Sequence, residues 1–235
     1  MPSNPRGVAL LSASSPTFTQ LIGRLALAAC AVLLTTTVSM AQTTLGPGDI
    51  AFIAFNSDDG DDIAWVLLTD VNATTTIRIS DNDWDGSSIS ENNYLTWTAG
   101  SDLDAGTVVV INNASNTNSG GETINVGSVT ETGEFSIDGG NEEIWAYTGT
   151  GSDIVFLAAI ANDNGRLNLS GSGLDENTSV FSSDDDDGIY YSGSRCVVAE
   201  DINDFSNWTS EGGSGNNILP ISTTAFVLAA GSDAL

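Results

Sequence analysis

Two stretches are apolar at nearly every position rather than at alternate ones: 50–56 (Ile-Ala-Phe-Ile-Ala-Phe-Asn) and 63–69 (Ile-Ala-Trp-Val-Leu-Leu-Thr). A strand that presents carbon on both faces must be covered on both, so each stretch predicts a central strand. Between them lies an acidic turn, Ser57-Asp58-Asp59-Gly60-Asp61-Asp62. Gly60 supplies the positive φ that joins the two as a hairpin. Residues 76–80 alternate instead, with Ile77 and Ile79 on one side and Thr76, Arg78 and Ser80 on the other. That pattern predicts a half-exposed strand.

Further strands are predicted at 94–98, 107–111, 123–129, 134–137, 142–147, 154–160 and 189–191. The Asp138-Gly139-Gly140-Asn141 turn joins 134–137 to 142–147 as a second hairpin. The Asn, Ser, Thr and Gly content of 112–121 predicts an exposed loop, and 162–183 is loop-like with brief apolar islands. Residues 197–208 hold the one candidate helix, with Asp201 as N-cap and Ile202 and Phe205 on one face. A last strand at 218–228, interrupted by Pro220, belongs at a sheet edge. No helical stretch recurs between strands, which disfavours crossover units. The expected fold class is therefore all-β, a two-sheet antiparallel β-sandwich with at most one short helix near the C-terminus.

The N-terminal region changes the picture of the compartment. Residues 1–41 contain no Asp or Glu, carry Arg6 and Arg24, and follow an apolar run at 25–34 with Ser39-Met40-Ala41. This is the pattern of a secretory signal peptide cleaved after Ala41, and its core is far shorter than the ~20 residues that span a bilayer. Leu27-Ala28-Ala29-Cys30 resembles a lipoprotein box. Arg24 leaves almost no apolar stretch before it, however, and the hydrophobic run continues past Cys30, so cleavage near Ala41 is the preferred reading. The mature chain is then one β-sandwich domain over 42–235, secreted or at the cell surface, with no transmembrane segment.

All 31 acidic residues fall in 42–235, opposed only by Arg78, Arg166 and Arg195, so this part carries a formal charge of 3 − 31 = −28. The chain has no Lys and no His. Carboxylates about 6 Å apart repel by roughly 0.7 kcal/mol per pair even at the dielectric of water. In ~1 M salt the screening length falls to about 3 Å and most of that repulsion disappears. An acidic, lysine-free chain with 40% hydrophobic residues and five Trp thus reads as a folded protein adapted to brine, with many bound cations as the alternative, rather than as acidic disorder. Three scattered Arg also argue against nucleic acid as a direct partner. Only Cys196 remains after the signal, so no internal disulfide can form, and beside Val197 and Val198 it reads as a small core residue.

The order of these segments resembles a module of secreted bacterial surface proteins. The resemblance is carried by Gly48-Asp-Ile-Ala-Phe-Ile-Ala-Phe-Asn56, Asp61-Asp-Ile-Ala-Trp-Val-Leu-Leu68 and Ile79-Ser-Asp-Asn-Asp-Trp-Asp-Gly86. It continues through Leu95-Thr-Trp-Thr98, Ala105-Gly-Thr-Val-Val-Val110, Ile144-Trp-Ala-Tyr-Thr-Gly149 and Asn207-Trp-Thr209. In general plan the module is similar to lamin-tail domains, which implies an immunoglobulin-like sandwich and no catalysis of its own.

Candidate chemistry concentrates in residues 81–86. Asp81, Asp83 and Asp85 before Gly86 reproduce the first half of a calcium loop. The second half fails, because Asn92 stands where the closing glutamate is expected and Glu91 comes one residue early. Two readings remain: a non-helical calcium loop assisted by Asp58, Asp59 or Asp61, and a solvated acidic loop. The run Asp184-Asp185-Asp186-Asp187 lacks alternation and reads as solvated charge. Without His, Ser-His and Cys-His mechanisms and His-based zinc sites are unavailable. Of the five Trp, loop-borne Trp84 is the candidate ligand platform, and strand-borne Trp65, Trp97 and Trp145 are expected in cores.

The expected function is a secreted, non-catalytic extracellular or cell-surface binding or structural module adapted to high salt. Its partner would be an extracellular protein or polysaccharide. The alternative is a calcium-dependent, lectin-like carbohydrate-binding domain using Trp84, and the remote alternative is a carboxylate-based glycoside-active enzyme.

Overall fold

The two wholly apolar runs are adjacent antiparallel strands, β1 (Ile50–Asn56) and β2 (Asp62–Leu67), with one bulge between Phe52 and Ala54. The computed structural model describes residues 41–58, 60–139, 142–161, 167–175, 180–182, 187–197, 200–211 and 219–229. Residues 1–40 of the segment read as a signal peptide, Cys30 among them, and Asp59, Gly140, Asn141, Arg166 and Asp184 to Asp186 lie outside the described residues. The chain divides after Ser39, and every element below belongs to the unit that follows.

In chain order the remaining strands are β3 (Thr76–Ser80), β4 (Tyr94–Thr98), β5 (Val108–Asn112), β6 (Thr123–Ile124) and β7 (Ser128–Thr132). Then come β8 (Glu143–Thr148), β9 (Val155–Ala161), β10 (Val180–Ser182), β11 (Gly188–Tyr191) and β12 (Cys196–Val197). A one-turn helix α1 (Glu200–Asn203) precedes β13 (Trp208–Glu211) and β14 (Val227–Leu228). Sheet I runs β13-β11-β1-β2-β5-β6, and sheet II runs β10-β9-β8-β3-β4-β7. Both are antiparallel except that β10 joins β9 in parallel; β12 and β14 form a separate parallel pair. The fold is a two-sheet β-sandwich, as the pattern of strands predicts.

Register decides which residues meet between the sheets. Trp65 on β2 lies opposite Phe52 and Val109, and Trp97 on β4 lies opposite Ile77. The two indoles meet edge-on, with ring centroids 5.8 Å apart, so these faces form the inner core. The outer face of sheet I, with Ala54, Ala64, Val66 and Val110, is buried as well. Residues 219–229 are anchored to this sheet at two places: Leu219 lies against Gly188, and the Phe226 N–H donates to the Gly106 carbonyl at 2.8 Å. Burial on both faces of the sheet is why β1 and β2 carry carbon on both.

Several expectations are corrected. Residues 112–121 contain a 3-10 helix, Ala114–Ser119, entered through a left-handed Asn113. Ala114 is buried beneath the β1–β2 turn, and its N–H donates to the Asp61 carbonyl at 2.7 Å. Small residues can fill such a corner, and a loop rich in Asn and Ser conceals them. The stretch 123–129 divides between β6 and β7 in different sheets. Residues 134–137 join no ladder; β8 forms its hairpin with β9 instead. Asp201 is the second residue of α1 rather than its cap, and Trp208 begins β13, its indole N–H donating back to the Ile202 carbonyl at 2.6 Å. Among the described residues of the 218–228 region only those of β14 form a strand. Cys196 is exposed, not a core residue.

Candidate binding cleft

Alternation along β8 and β9 places Trp145, Tyr147, Phe156 and Ala159 on the outer face of sheet II. These residues form a second small core with Ile89 and Leu174, separate from the main one. Two loops supply its cover, 81–93 between β3 and β4 and 167–175 after β9. Trp84 clasps them together. Its ring sits edge-on to Phe156 with centroids 4.9 Å apart, and its indole N–H donates to the Ser170 carbonyl at 2.9 Å.

The first loop folds back on itself because of its polar residues. Trp84 and Ile89 make an isolated antiparallel bridge around a turn in which the Asp85 carboxylate accepts the N–H groups of Ser88 at 2.7 Å and Ser87 at 2.8 Å. Those bonds, with the serine hydroxyls, hold the Asp85 carboxyl down to about 2. At the base, Asn82 Nδ2 and Ser80 Oγ both donate to the Asn93 carbonyl, at 2.8 and 2.9 Å. Gly86 is needed at its place: φ is 92°, and an added Cβ would lie 2.9 Å from Asn168 Nδ2 of the second loop.

Between these loops and the 3-10 turn Gly151–Asp153 opens a cleft of about 420 Å³. Its apolar lining is Trp84, Ile89, Ile154 and Phe156, and its polar lining is Ser87, Ser88, Ser152, Ser172 and Glu91 with the backbone of Gly151 and Gly171. Glu91 is fixed at the wall. One carboxylate oxygen accepts the Gly151 N–H at 2.6 Å, and the other pairs with Arg78 at 2.8 Å. Arg78 in turn lies over the Tyr94 ring, 4.6 Å from its centroid.

The acidic candidates have a different arrangement. Residues 134–138 alternate between exposed and buried, with Phe135 and Ile137 inside, as in an extended chain. Successive N–H groups of such a chain point to opposite sides. Side-chain carboxylates accept them in order: Glu131 takes the N–H of Phe135 at 2.8 Å, Asp81 that of Ser136 at 2.9 Å, Asp61 that of Ile137 at 2.9 Å and Glu142 that of Asp138 at 3.4 Å. Asp61 belongs to the β1–β2 turn of sheet I and Asp81 to the end of β3 in sheet II. The segment therefore closes one end of the sandwich, with Phe135 and Ile137 in the main core.

Burial raises three carboxyls of this row despite their hydrogen bonds: Asp61 and Asp81 to about 6 and Glu142 to about 8. Neighbouring acids add to the effect, Asp138 on all three and Asp83 on Glu142. Asp81 and Asp61 thus meet on one segment from opposite sides, while Asp85 is turned into its own loop. Asp83 is exposed, and Asp58 is half-buried beside Asn56, to whose side-chain oxygen its N–H donates at 3.2 Å. Among the described residues no group of three or more Asp, Glu or Cys side chains converges as ligands of one ion would.

The sequence singled out Trp84 but passed over Ser152, Ile154 and Phe156. A signal for them existed, since 154–160 is apolar on both faces and must be covered on both. No protein-family model, no curated protein and no solved structure matches the chain. Among the described residues no helix is long and apolar enough to cross a membrane.

Proposed function

We propose that the mature domain is a secreted, non-catalytic binding module of the cell exterior, adapted to concentrated salt. The observation that carries the binding reading is the cleft: apolar side chains line an opening that two loops, clasped through Trp84 and Ser170, hold in shape. Pre-formed concavities of this kind, apolar with a few placed polar groups, are where small ligands and polymer segments bind. The acid-free leader with its apolar run supports export, and 31 acidic residues against five basic ones support brine. The resemblance of 48–56, 61–68 and 79–86 to a secreted surface module favours the same setting. Lack of His supports the non-catalytic reading. So do the positions of Asp61, Asp81 and Glu142, which accept backbone N–H groups and do not line the cleft.

The test is retention of extracellular polymers and proteins on the immobilised mature chain in about 2 M NaCl, where surface charge is screened. Ser152 is exposed at the rim, so Ser152→Trp fills the cleft without disturbing its apolar floor. A ligand held by the wild type and released by Ser152→Trp is the expected result. Retention that ignores the substitution refutes the cleft as the binding site, and turnover of a retained polymer refutes the non-catalytic reading.

A further inference from the structure

We infer that the cleft takes a neutral saccharide, one or two rings of a glycan, and does so without a metal ion. This rests on the reading of the domain as a binding module and names its ligand class. A sugar ring offers patches of C–H beside hydroxyls that both donate and accept hydrogen bonds. The cleft offers the complement: Trp84, Ile154 and Phe156 below, serine hydroxyls and backbone groups of Gly151 and Gly171 around them. Its volume of about 420 Å³ lies toward the lower end of the roughly 300–1,000 Å³ usual for small-ligand sites, so it suits a short stretch of glycan.

Charge narrows the class. An anionic ligand would approach a chain with 31 acidic residues and no lysine, and among the described residues no cationic side chain lines the cleft to receive it. A cationic ligand would need an uncommitted carboxylate in the cleft. The one carboxylate among the described lining residues, Glu91, already accepts from Gly151 and pairs with Arg78. In strong salt the long-range field of the protein is screened, which leaves contact chemistry to select the ligand. The Glu91 oxygens keep lone pairs to spare after two bonds, so the residue can accept from a sugar hydroxyl while remaining fixed. Metal plays no part in this arrangement, because Asp85 is turned into its own loop and Asp81 and Asp61 hold residues 136 and 137. The walls are locked by Trp84 and Glu91 before any ligand arrives, which lowers the ordering cost of a weak, polar ligand.

The experiment is a glycan array probed with the mature chain in about 2 M NaCl, carrying neutral, acidic and amino-sugar glycans, with and without a chelator. Hits are then titrated by calorimetry. Neutral glycans are expected to bind, Ser152→Trp to weaken them about tenfold or more, and chelation to leave affinity within about twofold. Glu91→Gln, which keeps an acceptor for Gly151, is expected to weaken binding by a smaller factor while circular dichroism stays unchanged. Binding confined to charged glycans, binding lost on chelation, or no neutral glycan bound at all overturns the inference. A protein ligand released by Ser152→Trp would overturn the saccharide while leaving the binding module standing. Neutral glycans bound equally by Ser152→Trp would overturn the cleft as their site.

Discussion

The row of carboxylates that grips residues 134–138 makes a prediction whose sign is unusual for acidic side chains. Glu142 is only 9% exposed, and burial lifts its carboxyl from 4.5 to about 8 in the folded chain. The folded state thus keeps a proton that the unfolded state has lost, and stability falls as pH rises across that window. The contribution is complete below pH 4.5 and is lost as pH climbs through about 8. At about 1.4 kcal/mol per pH unit the shift corresponds to at most ~5 kcal/mol. Solvent at the edge of the site screens the charge and lowers the expected effect to ~2 kcal/mol. Glu142→Gln isolates it, since the amide is neutral at every pH and its oxygen can still accept the Asp138 N–H. Urea unfolding followed by tryptophan fluorescence should find the two proteins equally stable near pH 4, and the variant more stable by ~2 kcal/mol near pH 9. Repulsion among the other carboxylates is common to both and cancels in the difference. A variant that tracks the wild type at all pH values, or is the less stable one near pH 9, refutes the assignment of a buried, proton-retaining Glu142.

Asp61 and Asp81, raised from 3.8 to about 6, contribute in the same direction, so wild-type stability should fall most steeply up to about pH 6 and more gently from there to about 8; titration by carbon-detected NMR checks the folded-state values. Trp97→Ala removes a fully buried indole that touches Trp65 and donates to the Val126 carbonyl, and should cost about 3–5 kcal/mol in the same urea assay. Gly106 has φ 89°, and an added methyl would run into the Phe226 carbonyl, so Gly106→Ala should cost ~2 kcal/mol and speed hydrogen exchange across residues 219–229. Thermal unfolding of the mature chain should move to higher temperature between dilute buffer and several molar NaCl, and a flat profile would contradict adaptation to brine.

What was legible in the sequence followed how local the determining pattern is. Alternation, or its absence, is a property of five to seven consecutive residues, and it placed β1 through β5, β8 and β9 within one or two residues of their bounds. The same rule separates residues that pair with backbone from residues that pair with side chains only when the partner is visible, and here it was not. Residues 134–137 alternate like a strand because they are extended, yet the N–H groups of residues 135–137 are taken by Glu131, Asp81 and Asp61, which lie four to seventy-six positions away along the chain. The same limit applies to the acidic loop. Spacing of Asp81, Asp83 and Asp85 records only that alternate carboxylates exist. Their directions are set by a strand end that points Asp81 at residue 136 and by a turn that folds Asp85 onto Ser87 and Ser88. Trp84 stood out because it is borne on a loop, whereas Trp65, Trp97 and Trp145 are borne on strands. Its partners Phe156 and Ser170 lie more than seventy residues away, so the clasp, and the cleft it holds open, appear only once sheet II brings the two loops together.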